Sequence, residues 1–202
     1  KSADLSKSYD GTELVNGETA LETETGWADG EGATYTFTGS QTKVGNSANT
    51  FTYTLNNGMK AGNYTITKTE GTLTVTAKSV SGMKVDKPSN QQYDGKEHKW
   101  EPTVQDGEKT LEKGTDYTVA YDKDDFKNVT GTIKVTITGK GNYEGEVIRE
   151  YQITKRTVTL KSADLSKSYD GTELVNGETA LETETGWADG EGATYTFTGS
   201  QT

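Results

Sequence analysis

Residues 34–58 read TYTFTGSQTKVGNSANTFTYTLNNG, and two runs within them alternate threonine with an aromatic or aliphatic residue. Successive side chains of a β-strand point to opposite faces of its sheet. Strict alternation therefore predicts strands at Thr34–Thr38 and Thr50–Leu55, each with one buried face and one threonine face in water. The side chains expected to point inward are Tyr35, Phe37, Phe51, Tyr53 and Leu55.

The same two-residue rhythm continues through the rest of the chain. It predicts further strands at Tyr64–Thr67, Leu73–Thr76, Tyr117–Tyr121, Ile133–Ile137 and Val147–Ile153. No segment shows the periodicity that is typical of an amphipathic helix. The sequence therefore predicts an all-β fold.

Turn-forming residues separate the predicted strands. They are Asp10-Gly11, Asn16-Gly17, Asp29-Gly30, Asn57-Gly58, Asp106-Gly107 and residues 139–142, GKGN. Asn-Gly and Asp-Gly favour tight hairpin turns in which both central residues take positive φ. We therefore expect short connections between strands that lie side by side.

Two internal repeats organise the chain. Residues 1–42 recur without a change at 161–202, which is a period of 160 residues and indicates recent duplication within a longer array, with an engineered junction as the less favoured alternative. A weaker repeat of about half that period is marked by the tripeptide Tyr-Asp-Gly at 9–11, 93–95 and 169–171. The chain is therefore expected to contain more than one copy of a small module.

We divide the chain into repeat A (1–78), repeat B (79–156) and a partial second copy, repeat A′ (157–202). The first copy lacks a counterpart of the lead-in residues 157–160. Units of this length, with short strands at this spacing, favour a small Ig-like β-sandwich.

The connections between repeats carry no flexible linker. Thr74–Val80 and Ile153–Leu160 run from one predicted strand into the next without a Gly/Ser-rich stretch. We therefore expect sandwiches joined end to end in an extended rod. Each would add about 30–40 Å if its strands are about eight to ten residues long.

Composition narrows the classes of function. Only 29% of residues are hydrophobic, the formal net charge is −10, and there is no cysteine. Low hydrophobicity fits several thin modules better than one large core. The acidic balance argues against nucleic-acid binding, which needs a basic patch. No apolar run approaches the length of a membrane helix, so no membrane insertion is expected within this chain.

The Tyr-Asp-Gly tripeptide has a structural interpretation. Glycine permits the turn, aspartate can accept hydrogen bonds from backbone amides, and tyrosine packs its ring while its hydroxyl stays near water. Turn chemistry accounts for Tyr9, Asp10 and Gly11, so we expect them to build the fold rather than bind a ligand.

No catalytic constellation is evident in the sequence. The single histidine, His98, lies in Glu97–Trp100, which we interpret as a charged strand or edge segment with a solvated imidazole. There is no Gly-x-Ser-x-Gly elbow, phosphate-binding loop or His-Glu-x-x-His motif. Residues 122–125, DKDD, are expected to form a solvated acidic loop, with a loose surface calcium as the alternative. We expect no enzyme, no cofactor and no dedicated metal site.

The chain contains three tryptophans, Trp27, Trp100 and Trp187. Exposed aromatic rings can bind sugars, whereas a tryptophan at the edge of a module is more often half-buried for packing. These three residues are our candidates for ligand contacts.

Three ordered segments resemble a known family: SKSYDGTEL at 6–14, NYTITKTEGTLTVTAK at 63–78 and residues 34–58. They are similar to YDG/MBG-type Ig-like tandem repeats of Gram-positive bacterial surface proteins. The stretch LEKGTDYTVAYDKDDFKNVTGTIKVTITGKGNYEGEVIREYQITK at 111–155 resembles the sister repeat of the same proteins. The resemblance covers essentially the whole chain, and it implies a secreted stalk at the bacterial cell surface or cell wall.

Two functions are expected from these observations. In the first, the repeats form a stalk or fibre that projects an adhesive region, and their partners are neighbouring repeats of the same polypeptide. In the second, the repeats bind host glycan, mucin or protein weakly, and repetition amplifies the affinity. Residues 161–202 lack a counterpart of 43–78, so the sequence is either a window of a longer array or is completed by strand pairing with another copy of the chain.

Overall fold

The computed structural model describes residues 1–18, 20–177 and 181–202. Nearly all regular structure in these ranges is β-strand, and the helical segments there are two short 3-10 turns, Ala61–Asn63 and Val80–Gly82. The all-β prediction is confirmed. Neither turn has the length or apolar character that a membrane-crossing helix needs, and the described residues contain no other helix.

The described strands follow one another closely along the chain. They are β1 (Leu5–Ser8), β2 (Leu14–Val15), β3 (Ala33–Phe37), β4 (Ser40–Gln41), β5 (Gly45–Asn49), β6 (Phe51–Leu55), β7 (Gly71–Thr76), β8 (Lys78–Ser79), β9 (Lys84–Val85), β10 (Gln91–Gln92), β11 (Val104–Asp106), β12 (Lys109–Thr110), β13 (Tyr117–Tyr121), β14 (Thr132–Gly139), β15 (Tyr143–Glu144), β16 (Glu146–Thr154), β17 (Thr159–Lys161), β18 (Leu174–Val175), β19 (Thr183–Thr185) and β20 (Ser200–Gln201).

Three sheets are built from repeat A. Strand β7 lies between β1, which runs parallel to it, and β5, which runs antiparallel. Strands β3 and β6 form an antiparallel pair with Phe37 opposite Phe51, and β2 pairs with β4. Phe51, Leu73 and Val75 are buried, so the apolar positions of the alternating strands supply the core.

Repeat B contains a four-stranded sheet in the order β10–β16–β14–β13, in which β10 runs parallel to β16. Strand β11 pairs with both β9 and β12, and β8 pairs in parallel with β15. On β14 the alternating residues Ile133, Val135 and Ile137 are fully buried, and the intervening Lys134 is exposed. The predicted strands Tyr117–Tyr121, Ile133–Ile137 and Val147–Ile153 are confirmed.

The chain divides into two compact units. The first consists of 1–86, 103–120 and 136–148, and the second of 87–102, 121–135 and 149–202. The boundaries that we place after residues 78 and 156 stay predictions, and residues 178–180 of repeat A′ lie outside the described residues.

Three expectations of the sequence analysis are wrong. Tyr64–Thr67 keeps its alternating burial but forms no ladder with any described strand, because alternation selects a buried face without supplying a pairing partner. Tyr53 pairs with Tyr35 yet remains 39% exposed, because that part of the β3–β6 face borders a cleft. Positive φ occurs only at glycines among the described residues, so the Asn-Gly and Asp-Gly turns do not place both central residues there.

Candidate functional site

The Tyr-Asp-Gly turns have the predicted local structure in all three copies. The aspartate side chain accepts a hydrogen bond from the backbone N–H two residues ahead, at 2.8 Å for Asp10, 2.9 Å for Asp94 and 2.9 Å for Asp170. The following glycines take positive φ: 82° at Gly11, 79° at Gly95 and 73° at Gly171. The assignment of aspartate and glycine to turn chemistry is confirmed.

A lysine stabilises the charged form of the aspartate in repeats A and A′. Lys7 Nζ lies 2.8 Å from Asp10 Oδ1, and this contact holds the pKa of Asp10 well below its usual range. Lys167 Nζ lies 2.8 Å from Asp170 Oδ1 and lowers the pKa of Asp170 to about 2. Both carboxylates are therefore acceptors throughout the neutral range.

In repeat B the turn contacts the histidine. His98 Nε2 lies 2.7 Å from Asp94 Oδ1, and the His98 side chain is only 20% exposed. The pKa of Asp94 is lowered first by the Lys96 N–H and then by His98. The expectation of a solvated imidazole on a strand or edge segment is wrong in its first part, because His98 contacts Asp94 and is mostly buried, and residues 97–100 do not form a strand.

A histidine held by a carboxylate is also part of many catalytic centres, but a nucleophile is needed beside it. Among the described residues, no serine or threonine hydroxyl donates a hydrogen bond to His98. The described residues also contain no group of three or more His, Cys, Asp or Glu side chains that could hold a metal ion. That the chain is not an enzyme stays a prediction.

The tyrosine of the motif occupies the same backbone position in repeats A and B. The Tyr9 N–H donates to Thr76 O at 2.8 Å, and the Tyr93 N–H donates to Thr154 O at 2.9 Å. In each case a short strand, β1 in repeat A and β10 in repeat B, runs parallel to a later strand of the same repeat, β7 or β16, and the tyrosine follows directly after the short strand. Both tyrosines are thereby placed at the end of their repeat where the chain continues into the next one.

From that position each tyrosine contacts the following repeat. The Tyr9 ring packs edge-on against Tyr143, with ring centroids 5.5 Å apart. The Tyr93 hydroxyl donates to a carboxylate oxygen of Glu191. Tyr169, the third tyrosine of the series, is 89% exposed. The tyrosine of the motif therefore has a second role in repeats A and B, a contact with the following repeat. Turn chemistry alone did not predict this contact.

Further contacts join repeat A to repeat B within the first compact unit. Asn142 is central, because its Oδ1 accepts from the Val44 N–H at 3.0 Å and its backbone O accepts from the Lys78 N–H at 3.0 Å. Lys78 Nζ lies 2.6 Å from Asp106 Oδ1. Lys78 also begins β8, which pairs with β15. We name Tyr9, Val44, Lys78, Asn142 and Tyr143 the A–B junction.

Repeat B joins repeat A′ within the second compact unit. Arg156 Nε donates to Gly186 O, and Ala188 is only 3% exposed and lies beside Gly95. Trp187 borders a cleft of about 250 Å³ with Tyr93 and Arg156. Ala188 is buried here, whereas its identical counterpart in repeat A is exposed, so this contact depends on the preceding repeat.

A different kind of site lies in repeat A around Trp27. A cleft of about 360 Å³ is bordered by Trp27, Tyr35, Phe51, Tyr53 and Tyr64. The Trp27 and Tyr64 rings meet edge to face at 5.0 Å. We name this the aromatic cleft. Such concave aromatic surfaces with a few polar groups are where small ligands bind most often.

Glu24 fixes the polar side of the aromatic cleft. Its Oε1 accepts hydrogen bonds from the Trp27 indole N–H and from the Tyr35 hydroxyl. Burial, reinforced by the contact with Glu24, raises the pKa of Tyr35 to about 12. Lys68 Nζ lies 4.8 Å from the centre of the Phe51 ring. A carboxylate acceptor, Glu24, and an ammonium donor, Lys68, therefore border a face of aromatic rings, an arrangement that can hold a polyhydroxylated or aromatic ligand.

The three tryptophans border three different clefts. Trp100 shares a cleft with Lys87, Gln91 and Tyr151, and its backbone O accepts a hydrogen bond from the Tyr121 hydroxyl at 2.8 Å. The sequence analysis did not name Tyr53, Tyr64 or Glu24 as candidates for ligand contact. The spacing Glu24-x-x-Trp27 could have indicated Glu24. Asn142 and Tyr143 at the A–B junction were missed as well.

The contacts described above are read from the structure of this chain alone. Comparisons with family models, with curated proteins and with solved structures find no match to it. The function is therefore inferred from the junctions and the aromatic cleft.

Proposed function

We propose that the chain is a structural repeat module of an extracellular bacterial surface protein, and that its repeats form a stalk that projects an adhesive region. In this proposal each repeat is a small Ig-like sandwich, and successive repeats are joined end to end in a rod. The observation that carries it is the pair of junction contacts made by Tyr9 and Tyr93 to the repeat that follows each of them.

The junctions support this proposal because a stalk must resist bending. A flexible linker would let neighbouring modules reorient freely. At the A–B junction the connecting residues are themselves in a ladder, and side-chain and backbone hydrogen bonds to Asn142 and Asp106 surround it. At the junction of repeats B and A′, Tyr93 contacts Glu191 and Arg156 contacts Gly186. An edge-to-face aromatic pair adds about 1 kcal/mol beyond its area. Each junction therefore has several contacts that bending would break.

Tandem copies of residues 1–160 test the stalk. We expect the maximum dimension measured by small-angle X-ray scattering to grow linearly with copy number. Replacing Tyr9 and Tyr93 by alanine in every copy removes one tyrosine contact from each junction, and a loss of about 1 kcal/mol raises the open population of that junction about fivefold. The variant array is then expected to be shorter on average and to bend more in electron micrographs.

The control for this experiment is Tyr53→Ala, which removes a half-exposed tyrosine inside repeat A rather than at a junction. That array is expected to match the parent in length. A parent array that already behaves as freely jointed beads would contradict the proposal, and so would equal bending in the Tyr9/Tyr93 variant and its parent.

The second candidate function is weak binding of host glycan or protein by the repeats, and the aromatic cleft favours it. Its rings are accessible at Tyr53, and Glu24 presents a fixed carboxylate beside the Trp27 indole. A single cleft of this kind binds weakly, and repetition along a polypeptide raises the avidity.

Trp27→Ala tests binding at the aromatic cleft, with mucin or a glycan array as the probe. Loss of the ring is expected to weaken binding at least about tenfold, because one buried aromatic anchor often contributes more than 1.4 kcal/mol. Trp187→Ala is the matched control, since Trp187 keeps its 2.7 Å contact to Glu184 in an identical local sequence without the rings of Phe51 and Tyr64. Unchanged binding by Trp27→Ala would exclude the cleft.

A further inference from the structure

A second candidate binding site lies in repeat B, in the cleft of about 370 Å³ that Trp100 borders. One side of it is formed by residues 87–91, which lead into β10, and the other by residues 98–100. Tyr151 of β16 also borders the cleft and is only 2% exposed. We name this the Trp100 cleft. Its residues all belong to one compact unit, and repeat B has a neighbouring repeat before and after it.

The residues that make the Trp100 cleft are peculiar to repeat B. The Tyr-Asp-Gly turns align repeats A and B, because in each of them the aspartate accepts from the backbone N–H two residues ahead. In this alignment residues 98–100, HKW, stand where repeat A has residues 14–16, LVN. Repeat A forms the same turn without an imidazole or an indole at these positions. His98 and Trp100 are therefore not needed to build the turn.

Hydrogen bonds hold the backbone of Trp100 from two sides. Its N–H donates to the Tyr151 hydroxyl at 3.3 Å, and its O accepts from the Tyr121 hydroxyl at 2.8 Å. The Tyr151 hydroxyl also donates to His98 O at 2.9 Å, so Tyr151 fixes both ends of the 98–100 segment. An aromatic ring on a backbone held in this way loses little freedom when a ligand packs against it.

The indole N–H of Trp100 differs from those of the other two tryptophans. Trp27 and Trp187 donate theirs to the glutamate three residues earlier in the chain. Glu97 has the same spacing from Trp100, yet the Trp100 indole N–H has no hydrogen-bond partner among the described residues. This N–H is not shut off from solvent. It is therefore a donor available to a ligand oxygen.

The charge around the Trp100 cleft is opposite to that of the chain. The formal net charge of the chain is −10, whereas the cleft is bordered by Lys87, His98 and Lys99 and by no described carboxylate. Lys99 Nζ lies 3.7 Å from Glu101, and His98 Nε2 lies 2.7 Å from Asp94. Lys87 is exposed and makes no hydrogen bond or ion pair with a described residue. Lys87 therefore supplies a positive charge that the folded repeat does not compensate.

We propose that the Trp100 cleft binds a sugar unit that carries a carboxylate. The apolar face of the sugar ring packs on the Trp100 indole, and the carboxylate pairs with the Lys87 ammonium. Gln91 Nε2 donates to Ser89 Oγ at 3.0 Å, which leaves Gln91 Oε1 as an acceptor for a sugar hydroxyl. Aromatic surface with a few placed polar groups is typical of small-ligand sites. This site is separate from the aromatic cleft, and it can exist whether or not the repeats form a stalk.

Titration of the full chain with sialyllactose, followed by NMR of the three tryptophan indole N–H groups, tests the proposal. Each indole resonance is assigned from the Trp→Phe variant at its position. We expect the Trp100 indole and the Gln91 side-chain amide to shift at millimolar ligand. Lactose has no carboxylate and is expected to bind at least about fivefold more weakly. A shift of the Trp27 indole reports the aromatic cleft, so the two sites succeed or fail separately.

An oligosaccharide of glucuronic acid distinguishes the two sources of a sugar carboxylate. A stronger shift of the Trp100 indole with this probe identifies a uronic acid as the ligand, and a stronger shift with sialyllactose identifies a sialic acid. The proposal requires that at least one of the two acidic sugars binds more tightly than lactose.

Lys87→Glu is the decisive variant, because Lys87 is exposed and its replacement is expected to leave the fold unaffected. It is expected to weaken binding of the acidic sugar at least about fivefold and to leave lactose binding unchanged. Lys84→Glu is the matched control, since it makes the same change of charge at an exposed lysine that does not border the cleft. Its affinity is expected to equal that of the parent chain.

Three results would overturn the proposal. They are equal affinity for acidic and neutral sugars, equal effects of Lys87→Glu and Lys84→Glu, and shifts confined to the indoles of Trp27 or Trp187. Failure of both acidic sugars to shift the Trp100 indole would contradict it as well, and would leave the stalk and the aromatic cleft untouched.

Discussion

Gly39→Ala is expected to destabilise repeat A by about 3 kcal/mol or more, whereas Gly199→Ala is expected to leave the stability of the chain unchanged. The three residues on each side of Gly39 are identical to the three residues on each side of Gly199. At Gly39 an added methyl would overlap backbone atoms of Ala48 and Thr50, which belong to the strands that follow. Backbone atoms cannot rotate away as a flexible side chain can, so the ladder itself must move.

Urea denaturation with amide hydrogen exchange separates these outcomes. Exchange of the β7 amides reports the opening of repeat A, and the amides of β14 report repeat B. We expect faster exchange in β7 for Gly39→Ala, little change in β14, and a parent-like profile for Gly199→Ala. Equal effects of the two substitutions would mean that residues 1–42 and 161–202 have the same surroundings, contrary to the structure.

The part of the fold that the sequence predicts is the set of strands with a strong apolar rhythm. Strands β3, β6, β7 and β14 were found because burial of one face repeats every two residues. Strand β5, GNSAN at Gly45–Asn49, has no such rhythm. It is a strand because β7 provides a ladder beside it, with Ser47 opposite Leu73. Backbone pairing of this sort depends on a partner that is distant in sequence.

The Tyr64–Thr67 segment is the converse case. Its alternation is as regular as that of β6, and Tyr64 and Ile66 are indeed half-buried. No described strand lies alongside it, and the Tyr64 ring instead packs against Trp27 in the aromatic cleft. Periodicity therefore predicts which side chains turn inward, whereas the presence of a neighbouring strand decides whether the backbone forms a ladder.

A comparison of repeats A and A′ distinguishes what a local sequence determines from what a distant partner strand determines. Contacts between residues close in sequence, such as Lys7–Asp10 and Lys167–Asp170 at 2.8 Å each, are the same in both copies. Strands that need residues 43–78 are present in only one. For this reason the turn role of Tyr-Asp-Gly could be predicted from the sequence. The contact of Tyr9 with Tyr143 could not, because it joins residues far apart in the chain.

Of the residues that border the aromatic cleft, only Trp27 was named from the sequence as a candidate for ligand contact. Trp27 was a candidate because tryptophan is rare and often exposed in part. The other rings reach the cleft from a strand pair and from the segment around Tyr64, and their meeting point is a property of the folded repeat. Trp100 and Trp187 were candidates for the same reason as Trp27, and each borders a separate cleft.

Ser2→Ala is expected to lower the free energy of unfolding of repeat A by about 3 kcal/mol, and Ser162→Ala is expected to have no measurable effect. Ser2 Oγ is a donor to Asn49 O at 2.7 Å and an acceptor from the Gly71 N–H at 2.8 Å, in a place with no exposure to solvent. Its removal takes a hydrogen-bond partner from two buried backbone groups, and a buried group left unsatisfied costs about 1–3 kcal/mol.

A small change of volume does not explain an effect of this size, because Ser→Ala removes one oxygen atom and creates almost no cavity. Ser2→Cys provides a test, since its thiol is only a weak donor and acceptor, and it is expected to restore little of the lost stability. The measurement is the midpoint of urea unfolding followed through hydrogen exchange of β1 and β7. If Ser2→Ala were neutral, Asn49 O and the Gly71 N–H would have to find water at that site, and the close fit between residues 1–42 and 43–78 would be looser than the buried serine indicates.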